Sequence, residues 1–214
     1  MKLLPADKTL GILTRYKIPV PKTKIIGSKK ELFKAAKLIG FPLFIKVNSP
    51  DIAHKTDIGA VKKAENEEQL LEAYDQIIKN TRKKMPKARI KGVILQEVKT
   101  GKEVIIGVKK DPQFNTVMLF GLGGIFVEVF KDISLRIIPI DEKDADEMIK
   151  EIKGYQILKG ARDEKPINFD ELKKIMVNVS KLVANNKNIS EMDLNPVMVN
   201  QKEAVAVDFK IMEE

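Results

Sequence analysis

The sequence predicts an α+β chain of two lobes, and three observations predict it. Up to about residue 98, helical periodicity alternates with short apolar runs that read as strands. Beyond that point three strand-like runs follow one another before two longer helical patterns, and a last pair of apolar runs flanks Asn200-Gln201-Lys202 as a hairpin would. No internal repeat and no long Pro/Gly/Ser linker marks off independent domains. With 214 residues, 43% of them hydrophobic, the chain can bury a sizeable core.

Taken in order, residues 6–17 read as a short helix ending before Pro19. Ser28-Lys29-Lys30-Glu31 has the form of a capping box, opening a helix through Leu32, Phe33, Ala36 and Ile39 that Gly40 and Pro42 stop. Residues 41–47 form an apolar strand interrupted by Lys46, followed by a polar loop and a second extended piece at 58–63. Asn66 caps a helix with Leu70, Leu71, Tyr74, Ile77 and Ile78 on one face, running to about Lys84 before Pro86. Strands are predicted at 93–98, 102–109, 116–120 and 134–138, helices at 142–152 and 169–185, and the closing hairpin from 190–199 and 204–209.

Composition narrows the chemistry. Thirty-nine Lys+Arg against thirty Asp+Glu give a net charge of +9, yet most lysines are interleaved with glutamates, as on ordinary solvated helices. Only the stretch from Thr81 to Lys87 is a cationic knot, and with aromatics at 6% there is little to stack on unpaired bases. A nucleic-acid partner is therefore not expected. With no cysteine and one histidine, disulfides, thiolate sites and ordinary structural zinc are excluded, so any metal is oxygen-ligated. No signal-like core and no membrane span is evident, since the longest uncharged run, 114–127, is broken by Asn, Thr and glycines. A cytoplasmic chain, not bound to membrane, is expected, and abundant Lys and Glu with no Cys fits a thermophile.

Four places carry candidate chemistry. The single histidine, His54, lies in the polar loop Ser49-Pro50-Asp51-Ile52-Ala53-His54-Lys55-Thr56-Asp57, where an imidazole serves as proton carrier, metal ligand or phosphoryl acceptor, or is a plain turn residue. Lys46 within its apolar strand calls for an anion such as phosphate, unless it occupies the strand's solvent face. Gly121-Leu122-Gly123-Gly124 lets backbone N–H groups approach an anion, or is a tight turn; it matches neither the Walker nor the dinucleotide pattern. Asn195 and Asp208, on two runs that pair in a hairpin, offer two oxygens to Mg²⁺, or are a turn Asn before Pro and a strand-end Asp.

These segments occur in an order that resembles a known family. Phe-Pro-Leu-Phe-Ile-Lys ending at Lys46, Ser-Pro-Asp-Ile-Ala-His-Lys-Thr-Asp, Gln96-Glu97-Val98 followed by Gly101-Lys102-Glu103-Val104-Ile105-Ile106-Gly107-Val108, Asp111-Pro112-Gln113-Phe114, Gly-Leu-Gly-Gly-Ile-Phe-Val-Glu and Asp193-Leu194-Asn195-Pro196 all follow one another. Together they are similar to the ATP-grasp β subunits of the ADP-forming acetyl-CoA (acyl-CoA) synthetases, relatives of succinyl-CoA synthetase, over nearly the whole chain.

The resemblance implies a single ATP-grasp domain over 1–214, with a smaller lobe at about 19–97, a larger lobe from 1–18 plus 98–214, and ATP or ADP bound between them. It implies that Lys46 contacts the nucleotide phosphates, that Gln96, Glu97 and Val98 serve adenine, and that Glu103 faces the ribose side. Asn195 and Asp208 match Mg²⁺ ligands, while Arg136 and the glycines Gly121, Gly123 and Gly124 are expected at phosphoryl oxygens. His54 matches a histidine that accepts a phosphoryl group, with Asp193 expected to orient the imidazole or its loop. The implied partner is a CoA-binding α subunit carrying its own phosphohistidine, in an αβ heterooligomer that interconverts acyl-CoA, ADP and phosphate with free acid, ATP and CoA. Two departures from the family pattern are Gly59-Ala60, where Gly-Gly is common, and Arg162-Asp163, where Arg-Gly is. A succinyl-CoA synthetase-type β subunit, another ATP-grasp carboxylate ligase and a non-enzymatic nucleotide- or nucleic-acid-binding module are the alternatives.

Overall fold

Alternation of apolar and polar side chains, and where that alternation breaks, sets the architecture. A computed structural model describes residues 1–52, 54–124, 131–160 and 164–214. The chain forms two compact units, one of residues 21–98 and one of residues 1–20 with 99–214.

The unit of residues 21–98 is built on a four-stranded antiparallel sheet. Its strands are β2 (Thr23–Ile26), β3 (Leu43–Val47), β4 (Val61–Ala64) and β5 (Val93–Glu97), in the order β2-β5-β3-β4. Leu43, Ile45 and Val47 of β3 are all 0% exposed, while Phe44 and Lys46 between them are half-buried on the other face. Helices α2 (Leu32–Ile39) and α3 (Glu67–Lys84) cover the apolar face, with Leu32, Ala36, Leu70 and Ile77 joining Leu43, Ile45, Val93 and Leu95 in one core. As the sequence predicts, Asn66 caps α3 by accepting the Gln69 N–H at 3.0 Å, and the Gln69 side chain accepts the Glu65 N–H at 2.9 Å.

Two local expectations fail here. Ser28 and Glu31 do not form a capping box: the Ser28 hydroxyl donates to the Glu31 carboxylate at 2.7 Å, and Lys29–Glu31 makes a 3₁₀ turn before α2 begins at Leu32. The extended piece expected from residue 58 begins only at Val61, because Gly59 closes a turn onto Thr56 (N–H to O, 2.9 Å) with φ at +66°.

The other unit holds a seven-stranded sheet. Strands β1 (Lys2–Leu3), β6 (Lys102–Asp111), β7 (Asn115–Leu122), β8 (Ile133–Ile137), β9 (Ile189–Val199) and β11 (Phe209–Glu213) run in the order β1-β11-β9-β6-β7-β8, and β10 (Ala204–Ala206) also pairs with β9. Asp111 turns the β6–β7 hairpin, its carboxylate accepting the N–H groups of Gln113 at 2.8 Å and Phe114 at 2.9 Å, which hold it below the usual carboxylate range. Helices α1 (Ala6–Arg15), α4 (Glu142–Glu151), the short α5 (Tyr155–Leu158) and α6 (Phe169–Asn185) supply the rest of the core, where Leu13, Met148, Leu172 and Met176 meet Ile106, Met118, Phe120 and Leu194.

The expected closing hairpin is interrupted. Instead of one strand over 204–209, β10 ends at Ala206 and β11 starts at Phe209, both along the same edge of β9. Val207 and Asp208 lie between them, opposite Asn195 and Pro196: the Val207 N–H donates to the Pro196 carbonyl and the Asn195 N–H to the Asp208 carbonyl, both at 3.1 Å. On the other side of β9, Val197 pairs with Val104 and Leu194 with Ile106, so Asn195 and Pro196 together face Ile105. This is a β-bulge, at the one residue of β9 that has no N–H to give the ladder.

Candidate functional site

The structure places the sequence candidates in two groups, one in each unit. In the unit of residues 21–98, His54 is exposed while its loop is fastened on both sides. Upstream, the Asp51 carboxylate accepts three hydrogen bonds from Arg89: Nη2 at 2.6 Å, Nε at 3.0 Å and the backbone N–H at 2.8 Å. These bonds lower the Asp51 pKa to about 2 and raise that of Arg89. Ile52, 2% exposed, inserts into a small apolar cluster with Val47 and Ala60. Downstream, α3 holds the loop through two donors, Lys84 Nζ to the Asp57 carbonyl and Asn80 Nδ2 to the Gly59 carbonyl, both at 2.9 Å. Ala53 lies outside the described residues.

Gly59 and Ala60 divide the work of that loop. A Cβ on Gly59 would stand 2.9 Å from the Asn80 amide at a φ of +66°, so glycine is needed there. The Ala60 methyl, by contrast, is fully buried in the same cluster, so this departure from Gly-Gly fills a void. The other departure, Arg162-Asp163, lies outside the described residues.

Lys46 emerges on the sheet face away from α2 and α3, beside Ile94 of β5 and Val61 of β4. The strand's two-residue period puts it on the half-open face, where it is half-buried. Gln96, 2% exposed, shares that face with Phe44, and its amide meets the Thr23 hydroxyl at 3.5 Å. Glu97 closes β5 and accepts the Lys22 N–H at 3.2 Å, and the half-buried Val98 is the last residue of the unit.

In the larger unit the candidates gather on the sheet face opposite the helices. Glu103, Gly121 and Asp193 occupy that face by strand register, since Gly121 pairs with Ile105 and Asp193 with Gly107, each a step away from the core residues Val104, Ile106 and Leu194. The bulge brings the metal candidates to the same face. Leu194 and Val197 are both wholly buried and bracket Asn195 and Pro196; across the break, the buried Ala206 and the half-buried Phe209, which packs on the same core, bracket Val207 and Asp208. Asn195 and Asp208 are thus backbone partners, Asn195 exposed and Asp208 half-buried with its carboxylate accepting the Phe209 N–H at 3.1 Å.

One amide oxygen and one carboxylate suit Mg²⁺, which accepts one or two protein oxygens and keeps water and phosphate for the rest of its octahedron. Among the described residues no group of three or more His, Cys, Asp or Glu forms a denser metal site. Gly121 is the last residue but one of β7, and Gly123 just beyond the strand lies against Glu103, its N–H donating to the Glu103 carbonyl at 2.8 Å. A Cβ on Gly123 would stand 2.8 Å from the Glu103 Cβ, so only glycine allows this approach. Gly124 follows with φ at +65°; the continuation Ile125-Phe126-Val127-Glu128 lies outside the described residues.

Arg136 corrects the sequence reading. It pairs with Met118 across β8 and β7, and Met118 is in the helical core, so the side chain is on the helix side of the sheet and not with the glycines. Its guanidinium binds both oxygens of Glu151 on α4, with Glu147 3.6 Å away, which raises the Arg136 pKa and lowers that of Glu151. The pair fixes α4 to the edge strand; it does not supply the expected phosphoryl contact.

Sequence reasoning passed over three residues that shape these groups. Arg89 was one exposed cation among many, and nothing local tied it to Asp51, 38 residues away. Asp132 is 6% exposed and accepts the N–H groups of Lys153 and Gly154, each at 2.7 Å, fastening the start of β8 to the loop after α4. Gly154 has no room for a Cβ, which would fall 2.1 Å from Leu122 Cδ1.

The fold and sequence have counterparts among known proteins. Residues 1–212 match the ATP-grasp domain family. The β subunit of acetate–CoA ligase (ADP-forming) I from Pyrococcus furiosus is 45% identical over 203 residues, covering 94% of this chain and 88% of that one. Acetate–CoA ligase (ADP-forming) I from Archaeoglobus fulgidus is 44% identical over 95% of this chain, which spans 30% of that longer protein. A solved structure of acetyl-coenzyme A synthetase 1 from Candidatus Korarchaeum cryptofilum, in complex with coenzyme A and Ca-AMPCP, superposes with a TM-score of 0.96 at 39% identity, over 100% of this chain and 94% of that one. A second structure of that enzyme, with coenzyme A and Mg-AMPPCP and its phosphohistidine segment pointing towards the nucleotide-binding site, gives 0.85 at 36%, over 100% and 93%. Among the described residues no helix is long and apolar enough to cross a membrane. The chain therefore belongs to the ATP-grasp domain family, among the β subunits of the ADP-forming acetate–CoA ligases.

Proposed function

We propose that this chain is the nucleotide-handling subunit of an ADP-forming acyl-CoA ligase, in which His54 relays a phosphoryl group between a CoA-binding partner and Mg·ADP. The observation that carries the reading is the exposed His54 on a loop whose two ends are pinned while its imidazole is left at the surface. The Korarchaeum relative, with its phosphohistidine segment turned towards the nucleotide, supports the same role for this segment.

In this reading phosphate attacks the acyl-CoA carbonyl in the partner, the CoA thiolate leaves, and an acyl phosphate forms. Its phosphoryl passes to a histidine of the partner, releasing the free acid, and from there to His54. The final step breaks the P–N bond at His54 and forms a P–O bond to the terminal phosphate of ADP, leaving a neutral imidazole. Lys46 supplies a fixed positive charge to the nucleotide phosphates, and Gln96, Glu97 and Val98 hold adenine. Glu103 takes the ribose side, while Gly121, Gly123 and Gly124, having no Cβ, let phosphoryl oxygens approach the main chain. Asp193 orients the imidazole. Mg²⁺ held by Asn195 and Asp208 would neutralise charge on the transferring group. Cytoplasmic location and an αβ assembly belong to the same proposal.

The test is labelling with Mg·[γ-³²P]ATP of the full chain assembled with its CoA-binding partner. Acid-labile, base-stable label at His54 is expected, and its absence from His54→Ala. Equal labelling of the alanine variant would overturn the relay. Salt-sensitive DNA binding without Mg·ATP affinity would instead favour a nucleic-acid-binding module.

A further inference from the structure

A histidine that relays phosphoryl between two sites must move, and the reach of that movement is set by where its segment is tied down. The two ends of the His54 segment are tied differently. On the downstream side the Asn80 amide holds the Gly59 carbonyl and the Lys84 ammonium the Asp57 carbonyl, while Ile58 and Ala60 pack in the cluster that also receives Ile52. On the upstream side Arg89 closes on the Asp51 carboxylate with a two-pronged guanidinium contact and a third bond from its own backbone. Charge-assisted, bidentate bonds of this kind are stronger and more directional than bonds to neutral carbonyls.

Arg89 is itself on a fixed support. The segment 85–92 is joined to its unit at both ends, by Met85 N–H to the Thr81 carbonyl at 2.8 Å and Lys91 N–H to the Asn48 carbonyl at 2.8 Å. Met85, Ala88 and Ile90 also pack on the cluster that receives Ile52. At Gly92 a Cβ would meet the Ile26 carbonyl at 2.0 Å, so the chain there lies directly against β2. The Arg89 side chain, in contrast, is 73% exposed and Asp51 29%. An ion pair so open to water contributes little to global stability, and its geometry needs another purpose.

We propose that the Asp51–Arg89 pair is the fixed pivot of the His54 segment, which makes Arg89 a positioning residue for phosphoryl transfer at His54. The inference rests on the relay proposed above. With the pivot closed, His54 is two residues beyond the buried Ile52, an arm of about 7 Å at full extension. With it open, Ile52 loses the support beside it, and each time it leaves its cluster the upstream arm begins at Asn48, whose backbone is paired with Gly92 and Lys91. It is then six residues long, about 20 Å. A threefold longer tether dilutes the imidazole at each destination by roughly 5- to 30-fold, between the flexible-linker and free-volume limits. The pivot thus confines the swing without gripping the imidazole.

The experiment compares wild type, Arg89→Ala, Arg89→Lys, Asp51→Asn and His54→Ala, each as the full chain assembled with its CoA-binding partner. Three quantities are read: the single-turnover rate of labelling from Mg·[γ-³²P]ATP, the affinity for Mg·ATP, and Tm. Arg89→Ala is expected to label about tenfold more slowly with Mg·ATP affinity and Tm unchanged, Arg89→Lys to fall between, and added guanidinium at millimolar concentration to restore part of the alanine variant's rate. Labelling of Arg89→Ala at the wild-type rate overturns the pivot alone. So does a loss that tracks Tm or Mg·ATP affinity, since that is a structural role. If wild type and His54→Ala label alike, the relay falls and the pivot falls with it.

Discussion

Replacing Asp132 by alanine removes a buried carboxylate that has two fixed obligations. The Gly154 N–H it receives is buried and the Lys153 N–H partly so, both at 2.7 Å, a length typical of charge-assisted bonds. With the acceptor gone, each donor is left without its partner at a cost of about 1–3 kcal/mol, which sums to about 2–5 kcal/mol once the partial exposure of Lys153 is discounted. Backbone retreat offers no relief, because Gly154 is already in contact with Leu122 and the space is closed. At about 2–4 °C per kcal/mol for a chain of this size, Tm falls by roughly 4–20 °C. Asp132→Asn keeps one acceptor oxygen and turns an N–H towards the other donor, so it recovers half of the loss at most. Urea unfolding followed by circular dichroism, with calorimetry for Tm, checks both variants. An Asp132→Ala protein within about 0.5 kcal/mol of wild type would show that water satisfies these donors and that the carboxylate is no fastening.

Four further outcomes follow from the geometry. Gly123→Ala forces the Glu103 backbone and the glycine turn apart, costing about 1–3 kcal/mol and weakening Mg·ATP binding in titration calorimetry; unchanged affinity would separate the glycine turn from the nucleotide. Asn195→Ala and Asp208→Ala each reduce the Mg²⁺ dependence of nucleotide binding, and the double variant loses little more than either single one, because the two oxygens serve one ion. Arg136→Ala lowers Tm by a few degrees through the loss of Glu151 but leaves Mg·ATP affinity intact; a tenfold affinity loss would return Arg136 to the phosphoryl site. The Asp51 carboxyl sits at about 2 in the fold against an ordinary 3.8. Its contribution is therefore present above pH 3.8 and lost as pH falls towards 2. An NMR titration of the Asp51 carboxyl should give a midpoint near 2 in wild type and one raised towards 3.8 in Arg89→Ala; the same midpoint in both refutes the pair.

Much of this was legible from local pattern, and the failures share a cause. The helix of α3 was readable because Asn66 and the 3.6-residue apolar stripe act within one turn of chain. His54, Lys46 and the Asn195/Asp208 pair stood out because polar groups in or beside apolar runs need a reason to be there, whereas Gln96 entered only through the family resemblance. Arg136 was misread because on an edge strand the side a residue faces depends on register with β7, which sequence spacing alone does not fix. The closing strand was drawn too long because its break at Val207 and Asp208 answers a bulge in a different segment, β9. Arg89 and Asp132 were invisible for a simpler reason: the partners of each lie 38 residues away in one case and 21 and 22 in the other.

The two-against-two break between β9 and the β10–β11 edge also makes this part of the chain intolerant of length change. Asn195-Pro196 and Val207-Asp208 compensate each other, so the strands return to common phase on both sides and keep Leu194, Val197, Ala206 and Ile211 in the core. Deleting a single residue at 207 would leave β10 in place and rotate everything after it by one step, turning Ile211 outward and Lys210 into the apolar layer. Substitutions here would be graded in effect. Insertions and deletions would act all at once, unless a matching change arose near Asn195, and the two segments are expected to gain or lose residues only together.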